Sequence, residues 1–227
     1  SAALGLVTVG WALGQRGASV AALVTTAAAF PLAVRRTREQ GLEKGAEQLA
    51  SNAVLLLILL APAMGGLWVL GPQLTNAVVA EAYREATIAV IPLAALAGLV
   101  RNMRMHFTNQ IFLLHERTDV ALRIDVLDAV ASLGLAFIGL ALWGVYGAVA
   151  GATAGAIVTL VIGSAVGMRW YGLVIPFSEL IRILLATAVM VAALWHAPDR
   201  VGLLGLAIEV AAGAAIYAVA LVAVMPR

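Results

Sequence analysis

The chain has 227 residues, of which 63% are hydrophobic and 11% charged, and its mean hydropathy is +1.02. A soluble domain carries about 25% charged residues and could not bury this much apolar surface, so the natural solvent is a bilayer. A pI of 9.4 rests on a net charge of only +2, scattered over short loops, which argues against nucleic acid as a partner; the absence of cysteine excludes thiolate metal sites.

Position 1 is Ser, and the first apolar stretch, 2–13, would rise only about 18 Å as a helix, short of a hydrocarbon core of about 30 Å. It lacks the basic start of a signal peptide. We read 1–14 as the tail of a helix that begins upstream, so the chain is expected to be a fragment. GQRG then makes a tight break. A span over 18–34 stops at the polar run RRTREQGLEKG, and the next, 52–70, ends before Gly71-Pro72. Another, 86–107, begins after Glu85. Spans follow at 125–142, at 145–167 past Trp143-Gly144, at 181–195 and at 201–224. No stretch alternates with the period of two that a barrel requires. The expected fold is therefore all-α: a polytopic transmembrane helical bundle, one domain over 1–227, with seven full spans and one partial.

The basic residues orient these spans. One face of the membrane would hold Arg35, Arg36, Arg38, Lys44, Arg101, Arg104, Arg117, Arg123, Arg169, Arg182 and Arg227; the other would hold only Arg16, Arg84 and Arg200. Such a bias over short loops marks the first face, and the C-terminus with it, as cytoplasmic. The longest polar connections, 35–51 and 107–124, are both on that face. With no room for an extramembrane domain, function is expected among the helices.

The most informative stretch is LVRNMRMHFTNQ, 99–110. Leu96, Val100, Met103, Phe107 and Ile111 share one helical stripe by their spacing, while Arg101, Arg104 and Thr108 share another, flanked by Asn102, His106 and Asn109. Two readings are open. The arginines snorkel to water from the end of the span, or they face a polar cavity and form an anion site, because the guanidinium fork suits phosphate or carboxylate. Arg101, Arg104, His106 and Thr108 are the candidate binding residues. Asp125 and Asp128 open the next span. Either the helix dipole favours them there, or one pairs with Arg101 or Arg104 or takes up a coupling proton or cation. Glu209 lies deep in the last span, where an ionisable group marks function or a packing seam.

Gly147, Gly151 and Gly155 recur every fourth residue, and Gly163 and Gly167 repeat the step, a pattern for close helix packing. Pro31, Pro62 and Pro92 fall within or near the ends of spans and are expected to kink them. There is no HExxH, paired-aspartate metal motif, P-loop or G-x-S-x-G, and His106, His115 and His196 are not at metal-ligand spacing. The sequence asks for no metal or cofactor and offers little to a catalytic reading.

Three fragments, in order, carry a family likeness: FPLAVRRTREQGLEKGAEQLASNAVLLLILLAPAMGGLWVL (30–70), VIPLAALAGLVRNMRMHFTNQIFLLHERTDVALRIDVLDAV (90–130) and GVYGAVAGATAGA (144–156). From about Ala18 onward the chain resembles the polysaccharide-biosynthesis branch of the multidrug/oligosaccharidyl-lipid/polysaccharide exporter superfamily. AEAYREA (80–86) departs from the pattern, since such proteins usually carry a Gly shortly before the Tyr. The resemblance implies the C-terminal lobe of a two-lobe flippase, with the N-terminal lobe absent and two trailing helices from Ile181 and Val201. It also implies multi-pass location in the bacterial inner membrane and flipping of polyprenyl-pyrophosphate-linked oligosaccharides, for O-antigen or exopolysaccharide synthesis, by alternating access. Partners would be the lipid-linked oligosaccharide, membrane lipids and other polysaccharide assembly proteins. A basic cavity would hold the pyrophosphate, giving Arg101 and Arg104 their task.

Three other classes stand beside this one. A multidrug exporter of organic cations would share the fold but is expected to have an acidic, aromatic cavity, and only 6% of this chain is aromatic. A membrane-embedded glycan polymerase or ligase would need a large outer loop. A structural subunit would have no cavity.

Overall fold

The computed structural model describes residues 29–197 and 202–225, and every regular element among them is helical. The partial segment 1–14, most of the span 18–34, and Arg16, Arg200 and Arg227 lie outside the described residues. The chain enters on a helix over 29–40, α1, which stops at Gly41 with φ of 95°. Helix α2 follows at once, Leu42–Val78. The polar run 35–51, expected as a loop, is thus helical apart from Gly41. Arg, Glu, Gln and Lys are strong helix formers, and only a glycine with positive φ interrupts them. At 37 residues α2 is about 55 Å long, so it outreaches a bilayer core and carries its Lys44–Glu47 pair (2.8 Å, exposed) beyond the apolar part.

Helix α3 runs Glu81–Met103 and passes through one π-helical turn, Arg104–Thr108, into α4, Asn109–Leu114, so that Glu81–Leu114 is one continuous rod. The polar connection expected over 107–124 shrinks to the turn at His115, Glu116 (φ 59°) and Arg117. Tyr171 covers it: His115 Nε2 lies 3.0 Å from the Tyr171 carbonyl, and the Tyr171 ring meets Phe112 and His115 edge-on.

Helix α5, Thr118–Trp170, is a hairpin in all but name. At Trp143 (φ −134°, ψ 19°) and Gly144 (φ 64°, ψ −149°) the backbone leaves helical geometry and the chain turns back on itself. Gly144 supplies the positive φ that this reversal requires. The two arms then pack backbone to backbone. A Cβ on Gly147 would strike the Gly139 carbonyl, one on Gly151 the Leu135 carbonyl, and one on Gly155 the Ser132 backbone. The four-residue glycine step therefore serves contact between arms of one helix. Gly163 faces Thr108 of the π turn, and Gly167 faces Leu173 and, beyond it, Ile111 of α4.

Helix α6 (Phe177–Trp195) and α7 (Gly202–Val224) pack on each other and on α2. On α7, Gly205, Glu209, Gly213 and Tyr217 are the buried positions, one stripe at four-residue spacing. Gly213 admits Leu194 of α6, and the Tyr217 hydroxyl donates to the Ile58 carbonyl of α2 (2.9 Å). Glu209 thus lies on a packing seam. Helix α2 is the centre of the bundle, with α6 and α7 on one side and α3 on the other; the α5 hairpin lies against α3. Leu49, Leu56, Leu60, Phe107, Ile111 and Phe112 form the core where α2 meets the π-turn rod.

Five of these helices are long and apolar enough to cross a membrane, among the described residues. The stretches expected as separate spans over 125–142 and 145–167 both fall within α5. Much of their surface is large and apolar, Phe137 at 68% exposure for example, which suits contact with lipid rather than water. Several exposed aromatics lie at helix ends or turns: Trp143 at the reversal of α5, Trp170 at its end, and Phe177 and Trp195 at the two ends of α6.

Candidate functional site

The polar side of 99–110 packs on the α5 hairpin and builds a buried ionic network. Arg104, with its side chain 6% exposed, sits between two carboxylates. Its Nη1 donates to Asp125 Oδ1 in a short contact, and its Nη2 donates to Asp128 Oδ2 at 3.3 Å. Arg101 lies one turn earlier, where Nη2 donates to Ser132 Oγ (3.3 Å) and Nε is 3.8 Å from Asp128 Oδ2. The hairpin's second arm closes the cluster, because Thr159 Oγ1 donates to Asp128 Oδ1 at 2.9 Å. Ser132 Oγ is 3.3 Å from both Asp128 Oδ1 and the Ala152 carbonyl, so it stitches the arms together beside the ions. Two guanidinium groups thus face two carboxylates, and the formal charge balances.

The π turn gives the network its shape. Asn109 Nδ2 donates to Asp125 Oδ1 (2.9 Å), the same oxygen that Arg104 grips. Residues five apart lie roughly 140° apart around an α-helix of 3.6 residues per turn, too far to share a partner. Here the Asn109 backbone N–H reaches the Arg104 carbonyl, the i→i−5 bond of a π turn, and the wider loop brings both side chains onto the face toward α5.

The snorkelling reading is revised for Arg104. Arg104 does not snorkel to the boundary, since it is buried and paired; Arg101 keeps its side chain 25% exposed. An apolar cavity of about 500 Å³ lies between α2, α6 and α7, walled by Ile58, Pro62, Leu67, Met190, Leu206 and Tyr217. A second, of about 420 Å³, is walled by Trp68, Gln73, Pro92 and Trp195. Neither includes Arg101, Arg104, His106 or Thr108. Among apolar helices, where water is scarce, a carboxylate on the next helix supplies the counter-charge that a guanidinium needs.

Thr108 is fully buried and its Oγ1 lies 3.2 Å from Ser164 Oγ, so it ties the π turn to the second arm of α5. His106 is half-buried and makes none of the contacts that define the network. Asp125 and Asp128 are not helix-start residues. Helix α5 begins at Thr118 and Asp119 takes its first turn, so the dipole, which fades within a turn, has little hold on either. They are the counter-ions of the arginines. Asn109 appeared in the sequence only as a neighbour of the arginine stripe, and Ser132 and Thr159 were not singled out. Their roles depend on the π register and the hairpin fold, neither of which leaves a spacing signal.

No family model matches the chain, and no curated protein or solved structure is significantly similar to it.

Proposed function

We propose that this chain is the C-terminal lobe of a membrane exporter that flips polyprenyl-pyrophosphate-linked oligosaccharides from the inner to the outer leaflet of a bacterial inner membrane, and that it is a transporter, not an enzyme. The order of the three fragments cited above supports the family reading. The observation that carries it is the Arg101–Arg104–Asp125–Asp128 network. Ionisable groups set within apolar helices are costly to keep there, and in membrane proteins they mark substrate or ion pathways. Two arginines held in the half of the Glu81–Leu114 rod that the arginine bias assigns to the cytoplasm suit the pyrophosphate of a lipid carrier arriving from the cytoplasmic leaflet. Balanced by aspartates, they stay stable while no anion is bound.

The test is genetic. Loss of the gene should trap lipid-linked repeats on the cytoplasmic face, and Arg101→Gln together with Arg104→Gln should reproduce that loss at normal expression. Full export by the double variant would reject the role.

A second reading rests on a separate observation. The cavity of about 500 Å³ between α2, α6 and α7 is walled by aliphatic side chains, Met190 and Tyr217, which suits an apolar cargo such as a lipophilic organic cation. Resistance to such cations that falls with Met190→Trp, while polysaccharide export is unchanged, would favour this reading.

A further inference from the structure

The two carboxylates of the network are not equivalent. Asp128 is locked. Its side chain is 13% exposed, and it receives Arg104 Nη2, Thr159 Oγ1 and Ser132 Oγ, with Arg101 Nε nearby at 3.8 Å. Donors on three helical segments converge on it, so moving it would strand buried donors in every direction. Asp125 receives only Arg104 Nη1 and Asn109 Nδ2, and its side chain is 49% exposed. It is the most exposed of the four charged members of the network, ahead of Arg101 at 25%. It also lies seven residues past the start of α5, about 10 Å along the axis, near the arginine-rich end of the helix.

The groups facing Asp125 are those of an oxyanion site. Arg104 is buried, and its Nε has no hydrogen-bond partner among the described residues, so the two aspartates do not saturate it. Asn109 presents its amide N–H to Asp125 while its Oδ1 is likewise buried without a partner. A phosphate oxygen has the same size, charge sign and acceptor chemistry as the carboxylate oxygen between these donors.

We propose that Asp125 is a displaceable internal counter-ion: a phosphate oxyanion entering from the arginine-rich side takes the place of the Asp125 carboxylate on Arg104 Nη1 and Asn109 Nδ2, and Asp125 swings out through its exposed flank. Asp128, Thr159 and Ser132 stay in place as positioning residues that hold Arg104 still during the exchange. No bond is made or broken; one carboxylate contact is replaced by one phosphate contact. The charge of the site stays balanced when empty, and the anion must compete with Asp125 to enter. This deepens the transport reading and rests on it for the source of the phosphate, a lipid-linked pyrophosphate.

The experiment measures binding of inorganic pyrophosphate to the purified full chain by calorimetry, then repeats it with zwitterionic vesicles with and without a polyprenyl pyrophosphate. Asp125→Asn and Asp125→Ala each remove the competitor and should tighten pyrophosphate binding about tenfold or more. Arg104→Gln should abolish it. Asp119→Asn, which alters only the exposed pairs with Arg117 and Arg123, should leave it unchanged. Two folded Asp125 variants that bind no tighter than the parent overturn the proposal. So does loss of folding in both, because Asp125 would then be a fixed structural ion. Tightening for free pyrophosphate but not for the lipid supports displacement and removes the lipid from the transport reading. Tightening by the Asp125 variants alongside full export by the Arg101/Arg104 double variant would keep the displacement and reject the flippase.

Discussion

At the scale of single residues, the molecule turns on how a buried charge is balanced. Arg104 and Asp128 are 6% and 13% exposed in their side chains, and each is surrounded by donors or acceptors of the other sign. Replacing such a pair by apolar groups can be nearly neutral, but removing one partner leaves an uncompensated charge at a cost of about 3–5 kcal/mol. Arg104→Gln and Asp128→Asn should each destabilise the chain by about that much in denaturant or thermal unfolding in detergent micelles. The double variant should lose less than the two single losses combined, because each removes the other's stranded charge. Equal and additive losses would mean that the pair is not coupled as the geometry implies. The sequence displayed both arginines and both aspartates and allowed their pairing. It could not say which carboxylate meets which guanidinium, because the partners are 21 and 24 residues apart on helices whose relative rotation is a tertiary property.

At the scale of elements, two local departures from the α-helix do most of the positioning. One is the π turn at Arg104–Thr108, which has no composition of its own and was unreadable from spacing. The other is the reversal at Trp143-Gly144, which the sequence marked as a break between spans and which the backbone makes as a sharp turn. The glycines after it permit contact that any Cβ would block. Gly147→Ala should therefore destabilise by about 1–3 kcal/mol, since the obstacle is the Gly139 backbone and cannot rotate away. Gly134→Ala is the matched control. Its added Cβ meets nothing within 4 Å, so the change should be neutral or slightly stabilising through helix propensity. A Gly147→Ala protein as stable as its parent would show that the arms do not pack as described. Glycines at a four-residue step announced close packing in the sequence, but whether the partner is another helix or the same one folded back depends on the turn.

At the scale of the whole molecule, the chain's own cysteine-free composition makes its orientation testable. Single cysteines at Glu39, exposed beside Arg35, and at Trp143, 71% exposed at the hairpin tip, mark opposite ends of the bundle's expected topology. An impermeant thiol reagent should label Glu39→Cys only in inside-out vesicles and Trp143→Cys only in right-side-out ones. The reverse pattern would invert the arginine-based assignment, and labelling of both from one side would break the span alternation.

Composition alone pointed to a bilayer as the solvent, and composition with patterning pointed to an all-helical class, which the helices bear out. With 63% hydrophobic residues there is too much apolar surface for water, and a chain in lipid must satisfy its backbone internally, for which helices are the answer its pattern allows. Periodicity and punctuation located the apolar stretches for the same reason, since both are local. Side-chain partners are not local. That Arg104 is neutralised by Asp125 and Asp128, that Asn109 joins them through a π turn, and that an apolar cavity opens between α2, α6 and α7 were decided only when the helices packed. Burial sets the energy of a charge, and burial belongs to the tertiary fold.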